Sequence, residues 1–210
     1  MSEPGRRGVL KLFGSVPLAA GFALSEAQAQ TAHQHARQGT AGGKKAGPFS
    51  PKFFSPHEWA TVRVLADLVI PRDERSGSAT DALVPEFMDY IMTDPLADPR
   101  QRELNQTRMR GGLAWLDREC VRRSGRNFLD STQAERAAVL DDIAYPAKAE
   151  DRPELCPGVA FFEGFRDLTA SGFWSSKMGI DDLQYTGNTF VAEWKGCPPE
   201  VLAKLGVGEG

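Results

Sequence analysis

The side chains best suited to chemistry in this chain are few. They are His33, His35 and His57, and Cys120, Cys156 and Cys197. His33 and His35 form an H-x-H pair that could give a metal two imidazole ligands. An ordered site needs more ligands and a supporting second layer of hydrogen bonds. His57 stands apart at a predicted helix start, so the pair reads as part of a polar, flexible segment. Asp141-Asp142 and Asp181-Asp182 are sequence neighbours whose side chains helical or turn geometry points apart. They read as surface charge, the usual state of Asp. The sequence has no glycine-rich fingerprint after a strand, no C-x-x-C-H haem attachment, no C-x-x-C pair and no G-x-S-x-G elbow. This inventory names no catalytic residue, no cofactor-binding residue and no metal ligand.

The two arginines at Arg6 and Arg7 carry a different kind of chemistry. With Gly8, Val9, Leu10 and Lys11 after them, they resemble the twin-arginine export signal. The apolar run over residues 12–24 is broken by Gly14, Pro17 and Gly21 and is short of the ~20 residues a spanning helix needs. Ala27-Gln28-Ala29 then offers an A-x-A site, with the cut expected between Ala29 and Gln30. Residues 1–29 are therefore expected to be a signal peptide, and the periplasm is the expected location. That compartment is oxidising, so a disulfide is expected to form there. Three cysteines allow three intrachain pairings. Cys156 with Cys197 is the expected one, because both sit in predicted loops beside prolines. A bridge to another polypeptide stays open. Cys120, on a predicted helical face, reads as a buried thiol.

The elements that must position these residues read as helices. At 210 residues and 41% hydrophobic, the chain can bury a real core. A net charge of −3 argues against a nucleic-acid partner. Residues 30–50 are rich in Gly, Gln and Ala without apolar period and read as a flexible linker. Residues 51–210 then read as a mainly α domain of about five helices with an irregular C-terminal arm. Ser55, Pro56 and Glu58 spell a capped helix start, with Phe54 stapled on Trp59. Trp59, Val62, Leu65, Ala66 and Val69 give one buried face, with Arg63 and Asp67 a solvated pair on the other. Ile70-Pro71 stops that helix. A polar turn leads to a second helix carrying Val84, Phe87, Met88 and Ile91.

Asp98-Pro99 starts a third helix, in which Gly111-Gly112 suggest a kink or a close contact with another backbone. Its many arginines, Arg100 to Arg126, read as a solvated face with ion pairs. Thr132 and Glu135 make a capping box for a fourth helix. Phe161, Phe162, Phe165 and Leu168 mark a fifth. Beyond Phe173 the period fades. Trp174, Tyr185, Phe190 and Trp194 are candidates to anchor an arm on the chain's own domain or on a partner.

Several of these stretches resemble one family: FFSPHEW (53–59), LADLVIPRDERSGSATDA (65–82), VPEFMD (84–89), FFEGFRDLTASGFWSSKMG (161–179), YTGN (185–188) and WKGCPP (194–199). The resemblance is to the small subunit, subunit 3 or gamma, of flavin-dependent gluconate 2-dehydrogenase complexes. Glucose and fructose dehydrogenase complexes have related subunits. It implies an accessory chain that holds neither flavin nor haem. The implied partners are a large FAD-bearing flavoprotein of the glucose-methanol-choline type and a cytochrome c subunit carrying haem c. It also implies that the small subunit bears the export signal and carries the flavoprotein through the twin-arginine translocase. The resulting complex would sit at the periplasmic side of the inner membrane. Two other classes remain beside it, a transient export or assembly chaperone and a free-standing periplasmic enzyme.

Overall fold

The computed structural model describes residues 26–41, 49–184, 193, 196–197 and 199–206. Among them are eight α-helices and no strand: α1 (Glu26–Ala41), α2 (Pro56–Val69), α3 (Val84–Thr93), α4 (Pro99–Ser124), α5 (Gln133–Ile143), α6 (Cys156–Trp174), α7 (Lys177–Asp182) and α8 (Pro199–Leu205). The five helices expected from periodicity are α2 to α6. The fold is mainly α, as read from the sequence.

The helix starts follow local chemistry. Ser55 accepts from Glu58 N while Glu58 accepts from Ser55 N, closing the capping box of α2 with Pro56 at its first position. Phe54 staples onto Trp59 with ring centroids 6.2 Å apart. Thr132 and Glu135 repeat the box at α5. Asp98 caps α4 through Gln101 N, and Gly125 at φ 74° closes its other end, a backbone state glycine adopts without cost.

The central element is α3. Val84, Phe87, Met88 and Met92 are fully buried, and the helix touches α1, α2, α4 and α6. A helix apolar on nearly every side belongs in the middle of a bundle. Asp89 on α3 is 2% exposed and accepts the backbone N–H groups of Lys52 (2.9 Å), Phe53 (2.9 Å) and Phe54 (3.4 Å). One carboxylate thus ties the chain entering α2 to the core. Arg110 lies 4.5 Å over the Phe53 ring and donates to the Phe53 carbonyl.

The longest helix, α4, crosses α6 by exchange of side chains. Phe161 of α6 fills the space over Gly112, and Trp115 of α4 fills the space over Gly158. The helix runs unbroken through the glycine pair, from Pro99 to Ser124. Gly112 receives a side chain, and Gly111 faces open space. The arginines of α4 are largely occupied within the chain. Arg122 and Arg123 both bond Glu119, Arg123 reaches Asp142 at 2.8 Å, and Arg126 reaches Glu135. Arg152 completes the network and, with Arg123, holds the Asp142 carboxyl well below the usual range, at about 2. Asp142 is therefore an ion-pair hub between α4, α5 and the turn after α5, which corrects its reading as plain surface charge.

Four other expectations are corrected. Residues 30–41 are not linker: α1 starts before them and packs Ala29, Ala32, His33 and Ala36 inward. The A-x-A motif thus lies within a helix, with Ala29 only 8% exposed. Arg63 and Asp67 do not pair on the surface. Asp67 accepts from Thr80 N and Oγ1, and Arg63 turns to Glu86. The segment before Cys156, expected as a loop, holds two 3-10 turns (Pro146–Ala149 and Pro153–Leu155), and Cys156 opens α6. All three cysteines are free, Cys120 buried and Cys156 and Cys197 exposed, so the Cys156–Cys197 bridge is not formed. Arg6, Arg7, Tyr185, Phe190 and Trp194 lie outside the described residues.

Candidate functional site

The most built surface feature is the turn between α2 and α3. Its residues are short and polar, and aspartates fold it by accepting backbone N–H groups. Asp73 accepts from Arg75 N and Ser76 N, both at 2.8 Å. Asp81 accepts from Ser78 N at 2.7 Å and from Arg72 at 2.7 Å. Asp67 holds Thr80 from α2. These N–H donors, Ser76 first for Asp73 and Ser78 first for Asp81, keep both carboxyls below their ordinary range. The turn ends at Leu83, a non-glycine residue at φ 61°, a strained state that its surroundings must hold in place.

Beside this turn lies a groove of about 770 Å³, closed on its other sides by α1 and α7. Arg75 crosses it and bonds the Asp182 carbonyl at 2.6 Å and its carboxylate at 3.3 Å. Lys177 pairs with Asp181. These charges neutralise one another within the chain. With these pairs closed, Arg75 and Lys177 offer little net field to a charged small ligand. Ile180 and Leu183, three apart at the end of α7, and Trp174 at the end of α6 are exposed and do not line the groove. Trp174 stands at right angles to Phe173, ring centroids 4.9 Å apart, and is 39% exposed. Of the four aromatic contact candidates, Trp174 is the one within the described residues.

Two histidine contacts could suggest catalysis. His33 Nε2 lies 2.9 Å from Ser175 Oγ. The Ser175 hydroxyl donates to the Ser171 carbonyl, so the ring donates to serine and takes no proton from it. Burial lowers the His33 pKa, with the Gly172 backbone offsetting part of the effect. The ring stacks on Phe87 at 4.9 Å, a packing role. His57 Nε2 lies 2.6 Å from Asp117 Oδ2, and Asp117 also accepts Phe128 N. This contact joins the start of α2 to α4. His35 stacks on Tyr90 at 4.4 Å. The H-x-H pair is thus split by the helix, one ring inward and one beside α3. Among the described residues no group of three or more His, Cys, Asp or Glu side chains is placed to hold a metal.

Sequence reading missed α1 as a wall of this groove. The signal was present: Ala29, Ala32, His33 and Ala36 fall at i, i+3, i+4 and i+7. Small residues and a histidine make a weak apolar stripe, so the pattern was masked by composition.

A family model described as gluconate 2-dehydrogenase subunit 3 matches residues 56–193, well over half of the chain. The match begins at the first residue of α2 and takes in the turn, α3 to α7 and part of the segment beyond. Comparison with curated proteins and with solved structures finds no match.

Proposed function

This chain belongs to the gluconate 2-dehydrogenase subunit 3 family, and from that premise we propose that it is the non-catalytic small subunit of a periplasmic dehydrogenase complex. It binds and stabilises a flavoprotein of the glucose-methanol-choline type. That partner holds FAD and oxidises a sugar or sugar acid, and a cytochrome c subunit with haem c takes the electrons. The family match carries this reading. The surface at the ends of α6 and α7 supports it, because exposed Trp174, Ile180 and Leu183 are apolar side chains of the kind a partner polypeptide covers. No helix among the described residues is long and apolar enough to cross a membrane. Attachment to the inner membrane then comes through the complex.

Export follows from the same proposal. Arg6 and Arg7 address the chain to the twin-arginine translocase, which moves folded proteins, and the flavoprotein travels with it. Cleavage between Ala29 and Gln30 requires the first turn of α1 to open, which helix ends do readily. Replacing Arg6 and Arg7 together with Lys should leave both proteins in the cytoplasm, read by fractionation and flavin content. A flavoprotein that still reaches the periplasm has its own signal, and joint export is then wrong.

A further inference from the structure

Glu86 on α3 is a buried carboxylate whose needs the chain does not meet. It is 5% exposed. Oε1 lies 3.9 Å from Arg63 Nη1, at the long limit of an ion pair. Oε2 has no hydrogen-bond partner. Buried polar atoms are nearly always satisfied, so an orphan carboxylate oxygen asks for an explanation.

Glu86 borders a cavity of about 210 Å³. His35 from α1, Phe49 and Lys52 from the segment before α2, and Asp89 and Tyr90 of α3 also line it. Asp89 is already committed to three backbone N–H groups, so it adds negative potential without an open acceptor of the same kind. Phe49, Tyr90 and His35 supply aromatic surface, with His35 stacked on Tyr90 and Phe49 stacked on Trp59. A negative oxygen among aromatic faces is the arrangement that attracts an organic cation. The space is small for a metabolite and ample for one side-chain head. No cluster suited to a metal ion is found among the described residues.

We propose that this cavity is a socket for one guanidinium or alkylammonium head, presented by a lysine or arginine of the partner polypeptide. The cation completes the coordination of Glu86 that Arg63 leaves open. The partner as source rests on the subunit reading; the cation chemistry does not. Burial raises the Glu86 pKa in the free chain, against its own backbone N–H and Arg63, and Asp89 adds a smaller push upward. The charged and titratable groups around it are Arg63, Asp89, His35, Lys52 and Tyr90. A carboxyl with a raised folded pKa gives the native state its extra proton affinity. Stability therefore falls as pH rises from the ordinary carboxylate range through the raised value.

Glu86→Gln keeps the shape and removes the charge. In the isolated full chain it should raise Tm and abolish that fall with pH. N-acetyl-arginine methylamide and butylammonium, titrated into the full chain, should bind saturably, and Glu86→Gln should weaken both at least tenfold. In native pull-downs the variant's complex should come apart at lower salt than the wild type. A Tm lowered by Glu86→Gln as much as by Arg63→Gln would make the pair a plain structural bridge and overturn the socket. Unchanged probe binding in the variant would do the same. Weakened probe binding with unchanged partner retention would assign the socket to a free small amine and overturn the partner as source. If the wild type brings down no partner, the subunit reading fails while the probe titrations still decide the cation chemistry.

Discussion

Gly112→Ala should destabilise the chain by about 2–3 kcal/mol, while Gly111→Ala, one residue earlier, should stabilise it by up to about 1 kcal/mol. The two glycines share a helix and a propensity, so only their surroundings separate them. A Cβ at Gly112 would sit 1.9 Å from Phe161 Cδ2 and 2.1 Å from its Cγ. Contact with Cγ, near the root of the side chain, means that a ring rotation cannot clear it. The buried Phe161 must leave its place or the α4–α6 crossing must open. A Cβ at Gly111 meets nothing within 4 Å, and alanine there restricts only the unfolded chain. The pair is read from denaturant midpoints at unchanged m. Phe161→Ala, which removes the clashing Cγ, should make the double variant's loss smaller than the sum of the two single losses. Equal responses at both positions would mean that the crossing is not held by this exchange of side chains.

Asp89→Ala is expected to cost about 3 kcal/mol or more. The substitution leaves the N–H groups of Lys52, Phe53 and Phe54 without their acceptor, and Phe53 and Phe54 are themselves buried. Unmade buried hydrogen bonds are costlier than made ones are helpful. Asp89→Asn should fall between the two, because its one oxygen can still serve Phe53 and Phe54 while its amide faces the Lys52 donor. Hydrogen exchange should show lost protection at Phe53 and Phe54 before any change in α5. Protection that survives in Asp89→Ala would show that the segment is held by Arg110 and ring packing alone.

These two sites show where sequence reading reaches and where it stops. Asp98, Ser55 and Thr132 are legible as caps because capping is local, decided within four residues. The face of α6 is legible because its phenylalanines are large and regularly spaced. Asp89 and Asp67 look like ordinary surface acids, since their partners lie 36 and 13 positions away. Arg63 and Asp67 have ideal spacing for a helix pair, yet Asp67 is taken by Thr80 and Arg63 lies nearest Glu86. Gly112 reads as a breaker because what fills its space, Phe161, comes from another helix. The groove was not legible at all. It needs α1, whose alanine face carries little hydrophobic signal, and α7, which is six residues long. Glu86 likewise stood unremarked inside VPEFMD, since burial of an acid leaves no trace in a pattern.

The most direct test of the subunit reading is a pull-down of the tagged chain from native membranes, with mass spectrometry and an absorption spectrum of the eluate. The account predicts a flavoprotein of the glucose-methanol-choline type in roughly equal amount, with a flavin spectrum and a cytochrome c band beside it. The chain eluting alone and colourless, from cells that express the dehydrogenase, would contradict it and leave a transient chaperone or an independent enzyme in its place.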